Sequence, residues 1–325
     1  MELRHRLRPY VAGFLHFCRF PKLIRYSGLP WLLRQVFQKK NVTILLYHHI
    51  SPGTFDSHIT ELKKFYAIIS LKEYCECRFA GKPVPERSLV ITFDDGYKDL
   101  YDLLPVIKKH AVPVTMFLCT GIIATRREFW DNIPKDYNEM DDLKFVPHEQ
   151  RMKHMSERYG FSETKEYGYR TALSREEIME MTQWVDFQPH GRFHPTLPTC
   201  TAEKARDEVE GSKADLLRDY GIASYAYAYS NGDYSERDIA IISNAGFKLA
   251  VTVDGVYNTS KTDPYRIKRL PIREACGIDE LIVRASGLWY FAWRSVIGQK
   301  HGLRPAMTAP GSGTAILKNQ KESAV

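Results

Sequence analysis

The sequence of 325 residues lacks long apolar runs and is poor in cysteine. No stretch of eighteen apolar residues occurs, so no transmembrane helix is expected. Basic residues interrupt the apolar stretch near the N-terminus, which argues against a secretory signal and for a cytoplasmic protein. The six cysteines are scattered and are expected to be free thiols in a reducing compartment. Cys75 and Cys77 have no second cysteine pair, which leaves a zinc knuckle as the weaker alternative.

Acidic residues are nearly absent from the first forty residues. This arm, residues 1–40, contains nine Lys and Arg residues and one acid, Glu2, which gives it a net charge of +8. The whole chain has a net charge of +7, so the other 285 residues have a net charge of −1. Aromatic and aliphatic residues between the basic ones suit a helix at the inner face of an anionic membrane. Helices packed on the main domain explain the pattern too, and are favoured for residues 31–37. No nucleic-acid motif accompanies the charge, so nucleic acid is not an expected partner.

From residue 41 onward, short apolar runs alternate with helical patterns. Six strands are predicted at residues 42–46, 89–93, 112–118, 222–229, 248–253 and 267–272, and residues 185–197 are predicted to be the end of a seventh strand and the loop after it. The alternation indicates parallel strands joined by right-handed crossovers, and the strand number favours a (β/α) barrel over an open sheet. Ser57 is predicted to begin the helix after the first strand, and residues 278–296 the last helix.

Composition divides the chain into three parts. After the arm, residues 41–300 form the main domain, in which the polar and aromatic residues 124–172 are expected to be a helical insert. Residues 301–325 are rich in Gly, Ala, Pro, Ser, Thr and Lys and are expected to be a flexible tail.

Two adjacent acids follow the strand predicted at residues 89–93. Asp94 and Asp95 stand at its carboxyl end, and Gly96 frees the turn after them. Their charges repel unless a cation or a shared proton relieves the repulsion, which indicates a metal site. A turn that begins the next helix, expected over residues 97–109, explains the same residues equally well. Partners elsewhere in the chain must decide between the two.

Histidines lie at two other strand ends. His48 and His49 follow the first strand, and His190 and His194 follow the strand that begins at Val185. Prolines bracket the second pair, which predicts a tight loop with converging imidazoles and not a helix. Strand ends share one face of a barrel, so a metal site of two histidines and one carboxylate is predicted, with open positions for water and substrate.

These motifs resemble the polysaccharide deacetylase family, the NodB homology domain of carbohydrate esterase family four. The sequence Thr-Phe-Asp-Asp-Gly at 92–96 is highly specific for it, and His-Gly-Arg-Phe-His-Pro at 190–195 fits its pattern His-x-x-x-His-Pro. Tyr-Ala-Tyr-Ser-Asn-Gly-Asp at 227–233 is similar to the third motif of the family. The resemblance covers residues 41–283 and implies a distorted (β/α)7-type barrel of the NodB homology type.

The resemblance also implies roles for individual residues. It makes Asp94 the general base and assigns Asp95, His190 and His194 to a divalent metal, most plausibly Zn²⁺, with Co²⁺, Ni²⁺ or Fe²⁺ as alternatives. Leu-Tyr-His at 46–48 lies early in the chain, as in a circularly permuted branch similar to poly-N-acetylglucosamine deacetylases. His48 is therefore expected to be the general acid, with His49 as its competitor.

Other residues are expected to contact the substrate. The backbone N–H of Asn231 is a candidate to hold the oxyanion, because the family uses an amide there. Tyr97, Trp130 and Tyr229 are candidates to stack on a sugar, although each could equally be a core residue.

The sequence departs from the family pattern at two positions that matter for the site. Gly191 stands where a hydroxyl residue usually braces the histidine loop, and the third motif lacks its usual Arg, so the Arg that steers the base is expected to be missing. The resemblance implies metal-dependent N-deacetylation of an acetylated amino sugar in a polysaccharide, oligosaccharide or glycolipid precursor. Two alternatives stay open, a non-catalytic glycan- or membrane-binding protein and an esterase or amidase that acts on another acyl group.

Overall fold

A computed structural model describes residues 20–288 of the chain. Twelve α-helices and eight strands lie in this range. The strands are β1 (Thr43–Tyr47), β2 (Ala67–Ile68), β3 (Ser88–Phe93), β4 (Val114–Leu118), β5 (Val185–Pro189), β6 (Ala226–Ala228), β7 (Leu249–Val251) and β8 (Leu270–Pro271). The helices are α1 (Pro21–Tyr26), α2 (Leu29–Val36), α3 (Pro52–Leu62), α4 (Leu71–Phe79), α5 (Leu104–His110), α6 (Tyr137–Leu143), α7 (His148–Tyr159), α8 (Arg175–Met181), α9 (Ala202–Arg206), α10 (Ser212–Tyr220), α11 (Glu236–Asn244) and α12 (Ile278–Ala285).

Every strand pair in the described part of the chain is parallel, as the alternation of strands and helices predicted. The main sheet has the order β5-β4-β3-β1-β8, with β2 beside the start of β3. Strands β6 and β7 form a second pair, and a parallel bridge between Val251 and Ile267 joins β7 to the segment that leads into β8. The two sheets therefore form the wall of a distorted (β/α) barrel.

Side chains close this wall between β5 and β6, where no backbone ladder is formed among the described residues. The side-chain oxygen of Gln188 accepts hydrogen bonds from the backbone N–H groups of Tyr225 (2.9 Å) and Ala226 (3.0 Å). At the upper end, Nδ1 of His190 lies 2.8 Å from the carbonyl oxygen of Ala228. We call this junction the β5–β6 seam.

Alternate residues of the strands face opposite sides of the barrel wall. Ile44 and Val90 point inward with residues of the other strands, whereas Leu45 and Ile91 belong to the cluster beneath the outer helices. All residues of β1 and β3 are buried, as expected when helices cover a parallel sheet. The carboxyl ends of these strands are held in place by packing on both faces.

Several predicted helix boundaries were wrong. Ser51, and not Ser57, begins α3, since its side chain accepts a hydrogen bond from the N–H of Thr54. The segment after the two aspartates begins with a 3-10 helix, Lys98–Leu103, before α5. Helix α12 ends at Ala285 and Gly287 follows it with a φ of +73°, so the predicted helix does not extend unbroken to residue 296.

The insert and the described half of the arm are helical. The insert contains α6, α7 and the 3-10 helix Trp130–Asn132, while α1 of the arm packs beside α12 and α2 packs beside α1. The five described cysteines are free thiols, and none belongs to a cluster able to bind a metal. Within residues 20–288, no helix is both long enough and apolar enough to span a bilayer. Residues 1–19 of the arm and the predicted tail, 301–325, lie outside the described residues.

Candidate metal centre and active site

The two aspartates leave β3 in different directions because the backbone turns sharply between them. Asp94 still continues the ladder, since its N–H donates to the carbonyl of Tyr47 (3.0 Å). Asp95 and Gly96 both have positive φ angles, 71° and 78°. A Cβ atom at Gly96 would lie 2.6 Å from a side-chain carbon of Leu118, so only glycine fits at this turn. The tight turn therefore points two adjacent carboxylates at different partners.

Asp94 is bound on both oxygens by Arg269, which immediately precedes β8. The two guanidinium nitrogens donate to the two carboxylate oxygens at 2.7 Å each, and both side chains are buried. Burial raises the pKa of Asp94, but the charge of Arg269 outweighs burial and holds the pKa below its ordinary value. Asp94 is therefore an oriented carboxylate that stays ionised at neutral pH.

Arg269 corrects the expectation that the steering arginine is missing. The third motif indeed has no arginine, but the strand predicted at residues 267–272 brings one to the same carboxylate. The signal in the sequence was a charged pair, Lys268 and Arg269, inside a predicted strand, where a charged side chain that faces the core needs a buried partner.

Asp95 lies beside the two loop histidines. Its Oδ1 is 3.4 Å from Nε2 of His190 and 3.4 Å from Nε2 of His194. One ligand atom from each residue falls within a span of 4.8 Å, and all three residues are buried. Among the described residues this is the one group of histidine, cysteine and carboxylate side chains with a geometry that could hold a metal ion.

The outer nitrogens of both imidazoles face oxygen atoms. Nδ1 of His190 donates to the carbonyl of Ala228, which leaves Nε2 with a free lone pair. Nδ1 of His194 lies 3.4 Å from a carboxylate oxygen of Asp131, in the insert. Carboxylate and carbonyl partners of this kind orient histidines that bind metals. Asp131 had not been predicted, and its position inside an irregular insert gave no signal.

The pKa of His194 reflects these carboxylates. Burial lowers the pKa of a histidine, but the charges of Asp131 and Asp95 outweigh it and raise the pKa of His194 to about 9. The imidazoles act in turn on Asp95. Burial raises the pKa of Asp95, but His194 and His190 lower it by more, so the pKa lies well below its ordinary value. The cluster thus combines a carboxylate anion with a protonated imidazole.

The three residues fit a divalent metal ion. Oδ1 of Asp95 is buried and has no hydrogen-bond partner, although such atoms nearly always have one. Two imidazole nitrogens and one carboxylate oxygen form a donor set that suits Zn²⁺ and its neighbours, and three protein ligands leave coordination positions open. A cation at this point would satisfy the orphan oxygen.

Glu208 braces the histidine loop and replaces the hydroxyl that Gly191 lacks. Its Oε2 accepts hydrogen bonds from the N–H groups of Arg192 (2.6 Å) and Phe193 (3.0 Å), and the side chain is fully buried. A Cβ at residue 191 would lie 3.0 Å from the same oxygen, in a backbone with a φ of +80°. The π-helical turn Asp207–Gly211, which separates α9 from α10, carries Glu208. The predicted loss of bracing is therefore not observed.

His48 and His49 lie at the end of β1 and point to different surroundings. The charge of His48 contributes to lowering the pKa of both Asp94 and Asp95, which places His48 near the two carboxylates. Its side chain is exposed and so accessible to a substrate. His49 instead lies 2.9 Å from a carboxylate oxygen of Asp99. His48 therefore stays the candidate acid, and His49, whose pKa is raised by Asp99 and also by Asp95, stays its competitor.

Trp130 and Tyr229 are core residues and present no face to a sugar. Trp130 is buried and its indole N–H donates to the carbonyl of His194 (2.9 Å). Tyr229 is buried, stacks on Tyr234, and donates its hydroxyl to the carbonyl of Tyr265 (3.0 Å). Their predicted stacking role is therefore wrong, and Trp130 instead fixes the histidine loop.

The other two predicted contact residues remain candidates. Tyr97 is half-buried, and its ring packs 4.1 Å from that of His49 and 4.8 Å from that of Phe129. Asn231 has a φ of +57° in the turn after β6, and its side chain donates to the hydroxyl of Thr196 (3.2 Å). Both lie in segments that follow barrel strands.

Comparison with known proteins gives consistent matches. The model of the family "Polysaccharide deacetylase" matches residues 81–250. A poly-beta-1,6-N-acetyl-D-glucosamine N-deacetylase of Staphylococcus aureus (strain MRSA252) is 23% identical over 252 residues, which cover 74% of this chain and 73% of the relative. The Bacillus subtilis (strain 168) protein YxkH is 23% identical over 222 residues, which cover 65% of this chain and 64% of the relative's length.

Solved structures share the fold. The Streptococcus pyogenes deacetylase PplD superposes with a TM-score of 0.57 at 20% identity, covering 75% of this chain and 98% of that one. IcaB from Ammonifex degensii gives a TM-score of 0.56 at 18% identity, covering 77% and 98%. The family model spans more than half of the sequence, and it includes both aspartates and both loop histidines. This chain belongs to the polysaccharide deacetylase family.

Proposed function

We propose that the protein is a metal-dependent N-deacetylase that removes the acetyl group from an acetamido sugar of a polysaccharide, oligosaccharide or glycolipid precursor. One observation carries the proposal. A carboxylate held on both oxygens by Arg269 stands directly beside a second carboxylate that faces two imidazoles and has an oxygen without a partner. This pairing of a base with an adjacent cation site suits hydrolysis of an amide.

Asp95, His190 and His194 would hold the metal ion. Zn²⁺ is the ion that we propose for these donor atoms. Co²⁺, Ni²⁺ and Fe²⁺ are the alternatives, because they accept the same kinds of ligand. A bound divalent ion would supply Lewis acidity toward the acetyl carbonyl and lower the pKa of a water molecule.

The remaining steps fall to side chains at the carboxyl ends of the strands. Asp94 takes a proton from the water that attacks the acetyl carbon, and Arg269 keeps the carboxylate oriented. The backbone N–H of Asn231 stabilises the negative oxygen that forms on the acetyl group. His48, as imidazolium, gives its proton to the sugar nitrogen when the C–N bond breaks. The products are acetate and a free amino sugar.

The first test pairs metal content with acetate release from two substrates. The Staphylococcus aureus relative is named for a β-1,6-linked N-acetylglucosamine polymer, so its oligomers and chitooligosaccharides are the substrates to compare. We expect stoichiometric metal and acetate release that a chelator abolishes and added metal restores. Metal without acetate release from either substrate would point to an O-acetyl ester or another acyl group. A purified protein that cannot be loaded with metal would favour a non-catalytic binding protein.

We also propose a cytoplasmic location, peripheral to the inner face of the membrane. The basic residues of the arm support it, because anionic headgroups of that leaflet attract clusters of Lys and Arg. Fractionation of cells into soluble and membrane pools, with salt extraction of the membrane pool, tests this location.

A further inference from the structure

Exposed apolar side chains concentrate on α1 and α2. Eight of the fourteen large hydrophobic side chains that are exposed in the described part of the chain lie between residues 20 and 37. Leu23 is 68% exposed, Trp31 58% and Val36 60%. Monomeric soluble proteins rarely leave such contiguous apolar surface facing water, so this face indicates a binding surface.

Helix α2 is amphipathic in the reverse sense to a helix on a protein surface. Its polar residue Arg34 is buried and lies over the ring of Phe65, with 4.4 Å between the guanidinium carbon and the ring centre. Its apolar residues Trp31, Leu32 and Val36 face outward. A surface helix normally buries its apolar stripe, so this helix presents that stripe to an environment other than water.

The two helices are fixed to the barrel by polar contacts, which keep the apolar face turned outward. Arg25 of α1 donates to Asp279 of α12 (2.8 Å) and forms an ion pair with Glu61 of α3. Gln38, which follows α2, is buried and donates to the carbonyl of Ala285 (2.7 Å). The exposed face is therefore a built surface of the folded protein.

The charge of this segment selects the kind of partner. Residues 20–40 contain five Lys and Arg residues and no acid, and the preceding residues 1–19 add four more against Glu2. Lys22 and Lys40 are exposed at opposite ends of the helix pair. Aromatic residues beside basic ones suit the boundary between lipid headgroups and acyl chains, where the ring meets hydrocarbon and the cation meets phosphate.

We propose that the outward face of α1 and α2 binds the surface of an anionic lipid bilayer. Leu23, Trp31, Leu32 and Val36 would enter the headgroup region, and Lys22 and Lys40 would contact anionic headgroups. This surface is independent of the metal centre and does not rest on the proposed reaction. It limits the proposed membrane contact, which the sequence places anywhere in residues 1–40, to one defined face.

The test is co-sedimentation of the full chain with vesicles of phosphatidylcholine alone or mixed with phosphatidylglycerol. The test variant is Trp31→Ser/Leu32→Ser/Val36→Ser. The matched control is Phe79→Ser/Leu217→Ser, which removes two side chains that are 57% and 58% exposed on other helices. All these residues are exposed, so unchanged thermal unfolding is expected to verify the fold of each variant.

We expect the wild type and the control to bind anionic vesicles at low salt and to be released at high salt. The affinity of the test variant for anionic vesicles should be lower by at least about tenfold, since three apolar contacts are lost. A second variant, Lys22→Glu/Lys40→Glu, should lose anionic selectivity while keeping the apolar face.

Three results would overturn the proposal. The first is a wild type that ignores anionic vesicles, or equal binding by the test variant. The second is a dimer in light scattering that the test variant abolishes, which would assign the face to a second copy of the chain. The third is binding that appears only after residues 1–19 or 289–325 are removed, which would assign the face to a segment of the chain itself.

Discussion

Asp94 and Asp95 are neighbours in sequence, but the structure gives them opposite surroundings. Asp94 has both oxygens bound by Arg269, so its charge is fully compensated by the protein. Asp95 faces two histidines and keeps Oδ1 without a hydrogen-bond partner. The positive φ of Asp95 produces this difference within a single residue step.

The difference shows how a turn assigns separate tasks to adjacent carboxylates. Asp94 is complete within the protein, which suits a base that must stay ionised and oriented. Asp95 is incomplete, which suits a ligand that becomes satisfied only when a cation arrives. Environment, and not residue type, thus distinguishes the proposed base from the proposed metal ligand.

The largest effect is expected when the incomplete carboxylate is removed. Asp95→Ala should lose both metal and activity, because two histidines alone retain a divalent ion poorly. Metal content by mass spectrometry and acetate release should fall together, and added metal should not restore either. His110→Ala is the control, since His110 pairs with Asp56 between α5 and α3 and takes no part in the site. An Asp95→Ala protein with full metal content would show that Asp95 is not a ligand.

The next effect tests the complete carboxylate. Asp94→Asn should keep the metal but slow acetate release by roughly 10²–10⁴, the usual contribution of a general base. Asp102→Asn is the control, since it changes an exposed carboxylate in the 3-10 helix that follows the same turn. A loss below about tenfold would contradict the role of base. Loss of metal in Asp94→Asn would remove the distinction between the two aspartates.

Arg269 donates to both oxygens of Asp94, so removal of Arg269 should leave both oxygens without this hydrogen-bond partner, as Oδ1 of Asp95 is already without one. Arg269→Met leaves a buried carboxylate unpaired, and we expect a loss of about 3–5 kcal/mol in the free energy of unfolding and roughly 10²-fold in activity. Without the guanidinium, burial raises the pKa of Asp94, so the acidic limb of the activity profile should move to higher pH.

A double-mutant cycle provides the control for Arg269. Adding Arg269→Met to Asp94→Asn should cost much less stability than Arg269→Met alone, because no unpaired charge remains. Equal costs in the two backgrounds, measured by denaturant unfolding, would show that the ion pair does not hold the base.

The imidazoles extend the comparison, since His194 has a carboxylate on each side. Its pKa of about 9 means that the metal-free protein carries a proton there at neutral pH, which a metal must displace. Metal affinity should therefore rise with pH up to about 9 and then level off. Calorimetry in buffers of different ionisation enthalpy should show about one proton released per ion at pH 7.

Asp131→Asn tests the outer carboxylate of this pair. The variant lowers the pKa of His194, so proton release at neutral pH should decrease, and the loss of orientation should weaken metal binding by about 10–100-fold. Asp136→Asn, elsewhere in the insert, is the control. Unchanged proton release in Asp131→Asn would show that the pair does not set the protonation of His194.

The smallest effect is expected at Glu208, a buried carboxylate that is proposed neither as the base nor as a metal ligand. Glu208→Gln keeps an acceptor for the loop amides but loses the charge, so each hydrogen bond should weaken by about 1 kcal/mol and metal affinity should fall by less than about tenfold. Glu208→Ala removes the acceptor and should weaken metal binding more. Equal effects of the two variants would mean that packing, and not hydrogen bonding, holds the loop.

The sequence predicted the parts of the site that come from strand ends. Parallel strands bring their carboxyl ends to one face, so the aspartates after β3 and the histidines after β5 could be brought together without coordinates. The Ser-Arg-Glu-Glu sequence at 174–177 is a local signal of the same kind, since the capping box that begins α8 depends on two residues three apart. Local signals and one topological rule account for these successes.

The missed residues depend on contacts across the fold. Arg269 meets Asp94 across 175 residues, and Asp131 meets His194 across an insert without a repeating pattern. Glu208 reaches the histidine loop from a π-helical turn, and the sequence has no periodic pattern that predicts such a turn. Trp130 and Tyr229 failed in the other direction, because an aromatic side chain near a motif has the same sequence signature whether it is buried or exposed.

The β5–β6 seam has a consequence for how the barrel fluctuates. Other neighbouring strands are joined by backbone hydrogen bonds, in ladders or, between β7 and the segment before β8, in a bridge. Here the N–H groups of Tyr225 and Ala226 depend on the side chain of Gln188. The seam is therefore where the wall should open first, and these two amides should exchange hydrogen with solvent early. His190 crosses the seam to Ala228 and also faces Asp95, in the turn after β3. A metal ion that joins His190 to Asp95 would bind the closed wall more tightly than the open one, so slower exchange of these two amides would report occupancy of the proposed metal centre.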